Sequence, residues 1–150
     1  MRNGFVLLAC SIIWLGCASK KNASSTAEPA IRFEKTACFG TCPEFVLTVK
    51  SNGEATLSVV TNLELEKGIY TCSNCDPLQV QLILKKADEI GFSQYEDKYD
   101  PGVTDLPSVI TTINDKKVIN VLDGPTELHD LEEQINDAYI KHRVWKKIEE

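Results

Sequence analysis

The chain is poor in the residues on which most enzyme chemistry rests. It holds two histidines, His129 and His142, in 150 residues. They fall thirteen positions apart on one expected helix, well apart around it, and cannot share a metal. Positive charge is also short: 16 Lys and Arg stand against 22 Asp and Glu, a net charge of −6. That balance argues against a nucleic-acid partner held through phosphates. The apolar run from Gly4 to Leu15 has twelve residues, too few for a membrane-spanning helix, which needs about twenty. No G-x-S-x-G, H-E-x-x-H or phosphate-loop spacing occurs, so hydrolase and nucleotide readings lack support. No cofactor is implied, and no catalytic residue is assigned.

Cysteine is abundant, with six in the chain, and compartment decides how to read it. Met1-Arg2-Asn3 gives a short positive start, and the twelve-residue apolar run suits the core of a signal peptide. The run closes on Leu15-Gly16-Cys17. A small residue and then a cysteine after such a core resembles the lipobox of bacterial lipoproteins, in which the cysteine is lipidated and becomes the mature N-terminus. The resemblance implies a signal peptide over 1–16, lipidation of Cys17, and a place in the bacterial envelope, anchored by lipid to a membrane, the outer one by expectation. The domain would then sit in the periplasm or at the cell surface. A rival box, Leu7-Leu8-Ala9-Cys10, leaves an apolar core of only about six residues, below the roughly 7–15 such segments need. A plain signal peptide or an uncleaved anchor is the bland alternative.

Residues 17–30 carry Ser, Lys, Asn, Thr and Pro with only small apolar residues and neither period. They are expected to form a disordered tether, with a reach of about 20 Å. A single domain follows over 31–147. Ile31 to Thr36 alternates as a half-buried strand. Phe45, Leu47 and Val49, then Ala55, Leu57 and Val59, alternate on either side of Ser51-Asn52-Gly53. A two-residue turn at Asn52-Gly53 would set Val49 opposite Thr56. A three-residue loop instead pairs Val49 with Ala55, Leu47 with Leu57 and Phe45 with Val59, gathering the apolar set on one face with Gly53 left-handed.

A short edge strand around Lys67–Tyr70 is expected next. Asp76 and Pro77 then start a helix whose buried stripe reads Leu78, Leu82, Ile83, Ala87 and Ile90, with Gly91 as its stop. Two strands, Ser108–Ile113 and Lys117–Leu122, precede a last helix with a stripe of Leu128, Leu131, Ile135, Ala138, His142 and Trp145. The order implies an α+β fold, a mainly antiparallel sheet of about five strands with two helices packed on one face.

The residues Thr36-Ala37-Cys38-Phe39-Gly40-Thr41-Cys42-Pro43, then Asn52-Gly53-Glu54, Tyr99, Thr104-Asp105-Leu106-Pro107 and the helix starting near Pro125 together resemble a bacterial family, domain of unknown function 6438, often found on envelope lipoproteins. The likeness covers about Ile31 to Trp145 and implies no assigned activity. Cys72-Ser73-Asn74-Cys75 lies outside the pattern.

In an oxidising compartment Cys38, Cys42, Cys72 and Cys75 read as two disulfides, by proximity Cys38–Cys42 and Cys72–Cys75. Cross-pairing of the two loops stays open. So do a four-thiolate zinc site and a thiol–disulfide redox protein using Cys72 and Cys75 ahead of a helix N-terminus. Tyr95, Tyr99, Asp100 and Asp105 make the best polar loop for a ligand, although turn chemistry explains them equally well. Glu127, Asp130, Glu132 and Glu133 read as a solvated acidic face. The functional expectation is a lipid-anchored, non-catalytic binding or adaptor module. Its partners would be a membrane, through the anchor, and another envelope protein.

Overall fold

The computed structural model describes residues 29–72 and 75–148. The expected signal peptide, Cys17 and the tether up to residue 28 lie outside the described residues. Eight strands form one sheet: β1 (Pro29–Lys35), β2 (Glu44–Lys50), β3 (Ala55–Thr61), β4 (Gly68–Cys72), β5 (Lys98–Tyr99), β6 (Val109–Ile113), β7 (Lys116–Asn120) and β8 (Trp145–Lys147). Their order across the sheet is β5-β7-β6-β1-β2-β3-β4-β8. Helix α1 (Pro77–Glu89) follows β4, and α2 (Thr126–Asn136) follows β7.

The α+β class and the two helices match the expectation; the sheet is larger and mixed. β5 pairs in parallel with β7, and the other neighbours are antiparallel. β5 and β8 have two and three residues, too few for an alternation to be visible in sequence. β4, expected at an edge, is flanked by β3 and β8.

The β2–β3 hairpin has the expected register: Phe45 faces Val59, Leu47 faces Leu57 and Val49 faces Ala55. Gly53 sits at φ 89°, and a Cβ there would lie 2.9 Å from the Pro77 backbone. Glycine is thus required twice over, for its dihedral and for the seating of α1 on the hairpin. The β6–β7 turn is tighter, with Ile113 opposite Lys116 and both Asn114 (φ 46°) and Asp115 (φ 70°) left-handed. That is the two-residue form that Asn and Asp tolerate.

Alternation puts Ile31, Phe33, Leu47, Val49 and Leu57 on one sheet face, all fully buried, and both helices cover that face. Each such side chain contributes about 1.5–3 kcal/mol relative to exposure. On α1 the buried residues are Val80, Ile83 and Ala87. Leu78 and Leu82, expected in the stripe, are 60% and 52% exposed. The last helix also departs from expectation. It ends at Asn136, and the chain widens into a π-helical turn, Asp137–Lys141. Tyr139, four residues beyond Ile135, takes the inward position expected of Ala138 and is fully buried. Trp145 Nε1 donates to the Tyr139 carbonyl at 3.0 Å. The helical run ends at Lys141, His142 is exposed, and Trp145 belongs to β8.

Candidate functional site

The cysteines come together as the sequence spacing suggests. The sulfurs of Cys38 and Cys42, and those of Cys72 and Cys75, lie at disulfide distance, each pair with its Cα atoms 5.7 Å apart. Register places the pairs at opposite ends of the strands. Cys38 and Cys42 precede Glu44, which faces Thr61 at the far end of β3; Cys72 follows Thr71, which faces Thr56 at the near end. Cross-pairing and a shared four-thiolate metal site therefore have no geometric basis. Asn62 Nδ2 donates to the Cys42 carbonyl at 3.1 Å, bracing the first loop. That loop holds Phe39 outward, 92% exposed.

Cys75 lies between a strand and a helix N-terminus, as in a thiol oxidoreductase, but the cap of α1 is Asp76. Its carboxylate accepts from the Leu78 amide at 2.9 Å. A negative group therefore holds the position whose positive field would otherwise favour a thiolate.

Of the polar loop, Tyr95 and Tyr99 meet edge to face, ring centroids 6.3 Å apart, and Tyr95 also packs edge-on against Phe92 at 6.0 Å. Tyr99 Oη accepts from the Glu96 amide at 3.2 Å. Asp100 Oδ1 accepts from the Gly102 amide at 2.8 Å, and Lys98 pairs with Asp100 at 2.6 Å. The Lys98 ammonium, with the Gly102 amide, holds the Asp100 carboxyl below its ordinary range, while burial pushes the Tyr95 phenol up. Asp105 adopts φ 69° and makes no side-chain hydrogen bond or ion pair with the other three among the described residues. The bonds these groups make are local, within the turns of residues 95–102.

Convergence occurs under α2. The strand register carries inward-facing polar residues to one corner of the core. Lys35 continues the phase of Ile31 and Phe33, Thr111 that of Ile113, and Asn120 that of Val118. Thr111 and Asn120 are buried. Glu132 descends on them from the helix and is 5% exposed. Asn120 Nδ2 donates to Glu132 Oε2 at 2.9 Å, and Thr111 Oγ1 donates to Oε1 at 3.5 Å. Asn120 Nδ2 also lies 3.4 Å from His129 Nδ1, while His129 Nε2 lies 3.2 Å from the Leu122 carbonyl. A tautomer with its proton on Nε2 satisfies both histidine contacts. Asn120 Oδ1 accepts from the Gly124 amide at 3.2 Å.

Burial pushes the Glu132 carboxyl up to about 7, against the opposing pull of Asn120, Thr111 and the Lys35 charge. Burial likewise lowers the Lys35 amine, with Lys141 adding to the effect and Glu132 resisting it. Lys35, His129, Glu132, Asn136 and Lys141 line a cleft of 340 Å³. Lys141 is itself paired with Asp137 at 2.6 Å.

Reading Glu132 with its acidic neighbours as a solvated face missed this arrangement. The signal was present: Leu128, Leu131, Glu132 and Ile135 follow steps of three, one and three, which place Glu132 on the buried stripe.

Fold and site define a mixed α+β domain with a polar corner in its core. Residues 29–139 match the family model described as a domain of unknown function, DUF6438, and the chain belongs to that family. No curated protein and no solved structure matches significantly.

Proposed function

We propose that the chain is a lipid-anchored, non-catalytic binding or adaptor module of the bacterial envelope, held to a membrane through Cys17. The observation that carries this reading is the twelve-residue apolar run closing on Leu15-Gly16-Cys17. Two cysteine pairs at disulfide distance support it, because such bonds persist in an oxidising compartment. The outer membrane is the expected anchor site, with the domain facing the periplasm or the cell surface and engaging an envelope protein.

Palmitate labelling of cells expressing the full chain, followed by membrane fractionation, tests the anchor. Label and membrane association are expected in the wild type, with both lost in Cys17→Ser. Equal labelling of Cys17→Ser would overturn the assignment of that cysteine. Turnover of a substrate by the purified chain, abolished by one side-chain change, would overturn the non-catalytic reading.

A further inference from the structure

The Lys35 amine faces the cleft under α2 from the end of β1, half-buried. It makes no hydrogen bond or ion pair among the described residues. A partly desolvated cation without a partner is unfavourable, and an anion placed against it relieves that state. Glu132 does not play this role, because it is engaged by Asn120 and Thr111 and lies beyond ion-pair range of Lys35. Nor does Lys141 compete for the same anion as an equal, since Asp137 already neutralises it at 2.6 Å. The cleft volume, 340 Å³, falls at the small end of ordinary ligand pockets, about 300–1,000 Å³.

We propose that the cleft between β1 and α2 binds a small oxyanion, a carboxylate or a phosphate, on the Lys35 amine. This rests on the binding-module reading above and gives that module a ligand class.

The charged and titratable groups around the site set its pH dependence. They are Lys35 from β1, His129, Glu132 and Glu133 from α2, and Lys141 from the π-helical turn. Thr111 and Asn120 supply uncharged bonds from β6 and β7. An anion beside Glu132 disfavours its ionised form, so binding draws a proton onto that carboxyl. Affinity therefore rises as pH falls from 8 to 6.

The test is a titration of the full chain in detergent micelles, separately with sodium acetate and with inorganic phosphate, at constant ionic strength and at pH 6 and 8. Backbone amide shifts around Lys35 and Glu132 are the readout. Saturable shifts are expected, weakened at least tenfold in Lys35→Met and unchanged in Lys85→Met, whose amine lies on the exposed face of α1. Saturation by acetate alone assigns a carboxylate; saturation by phosphate alone assigns a phosphate. The pH effect is read with acetate, which is ionised at both values, and is expected to vanish in Glu132→Gln while binding persists. Absence of saturation with both probes, or saturation that Lys35→Met leaves intact, would overturn the proposal. If Lys35→Met does not fold, the wild-type shift map decides, and shifts centred away from Lys35 would overturn it. The titration does not involve the lipid anchor, so its failure is separable from failure of the palmitate experiment.

Discussion

Asn120 and Glu132 are joined by a 2.9 Å hydrogen bond between the end of β7 and the middle of α2, with both residues buried. This bond fixes how α2 lies on the sheet, because the other atoms of the Asn120 amide hold the turn that leads into the helix. One residue thereby couples a strand end, a turn and a helix face.

Stability should fall as pH rises through neutrality, and Glu132 should account for a definable part of the fall. The carboxyl ionises near its ordinary 4.5 in the unfolded chain and at about 7 in the fold. Between those values the folded state holds the extra proton. The contribution is therefore complete below about 4.5 and lost as pH rises through about 7. The full step is worth about 3 kcal/mol. Urea unfolding at pH 5 and pH 8 measures it. Glu132→Gln should shrink the difference between the two pH values by roughly that amount, and an unchanged difference would count against the assignment.

A Cβ on Gly124 would lie 2.8 Å from Asn120 Oδ1. Gly124→Ala should therefore destabilise by about 1–3 kcal/mol through displacement of the amide. In an Asn120→Ala background the same change should cost much less. A double-mutant cycle in urea reads the coupling, and strict additivity would show that the two positions do not communicate.

At Gly53 the left-handed backbone and the contact with Pro77 act together. Gly53→Ala should cost about 2 kcal/mol or more, lowering the midpoint of thermal unfolding. Gly102 is also left-handed but has no neighbour within 4 Å of its missing Cβ. Gly102→Ala should cost only the dihedral strain, about 1 kcal/mol.

The two cysteine loops close four- and three-residue separations. Opening either bond should cost about 2 kcal/mol in the chain-entropy account, read as a lower unfolding midpoint in Cys38→Ser/Cys42→Ser and in Cys72→Ser/Cys75→Ser. Phe39, held in solvent between Cys38 and Cys42, should behave oppositely. Phe39→Ala should change stability by no more than about 0.5 kcal/mol, whereas Ile83→Ala on α1 should cost about 2–5 kcal/mol.

The legible parts of the fold were those written in local chemistry. The β2–β3 register followed from keeping Phe45, Leu47 and Val49 on one face. The start of α1 followed from Asp76 and Pro77. What resisted reading depends on tertiary contact. Leu78 and Leu82 offer an apolar face as good as that of Val80 and Ile83, and only packing chooses between them. β8 exists because the chain returns to the edge of β4, and nothing in Trp145-Lys146-Lys147 announces a strand. The corner under α2 required three strand registers and one helix phase at once. Its polar members looked like ordinary surface residues until Lys35, Thr111, Asn120 and Glu132 were brought to one point.

β1 lies in the interior of the sheet, bonded along its length to β2 on one side and β6 on the other. A force applied at Pro29 would enter the domain along this strand. A pull along its axis strains both ladders in shear at the same time, since the bonds run across the strands. An edge strand such as β8 would instead peel away one bond at a time. A force applied at the start of β1 would therefore meet the sheet where it best resists being drawn apart.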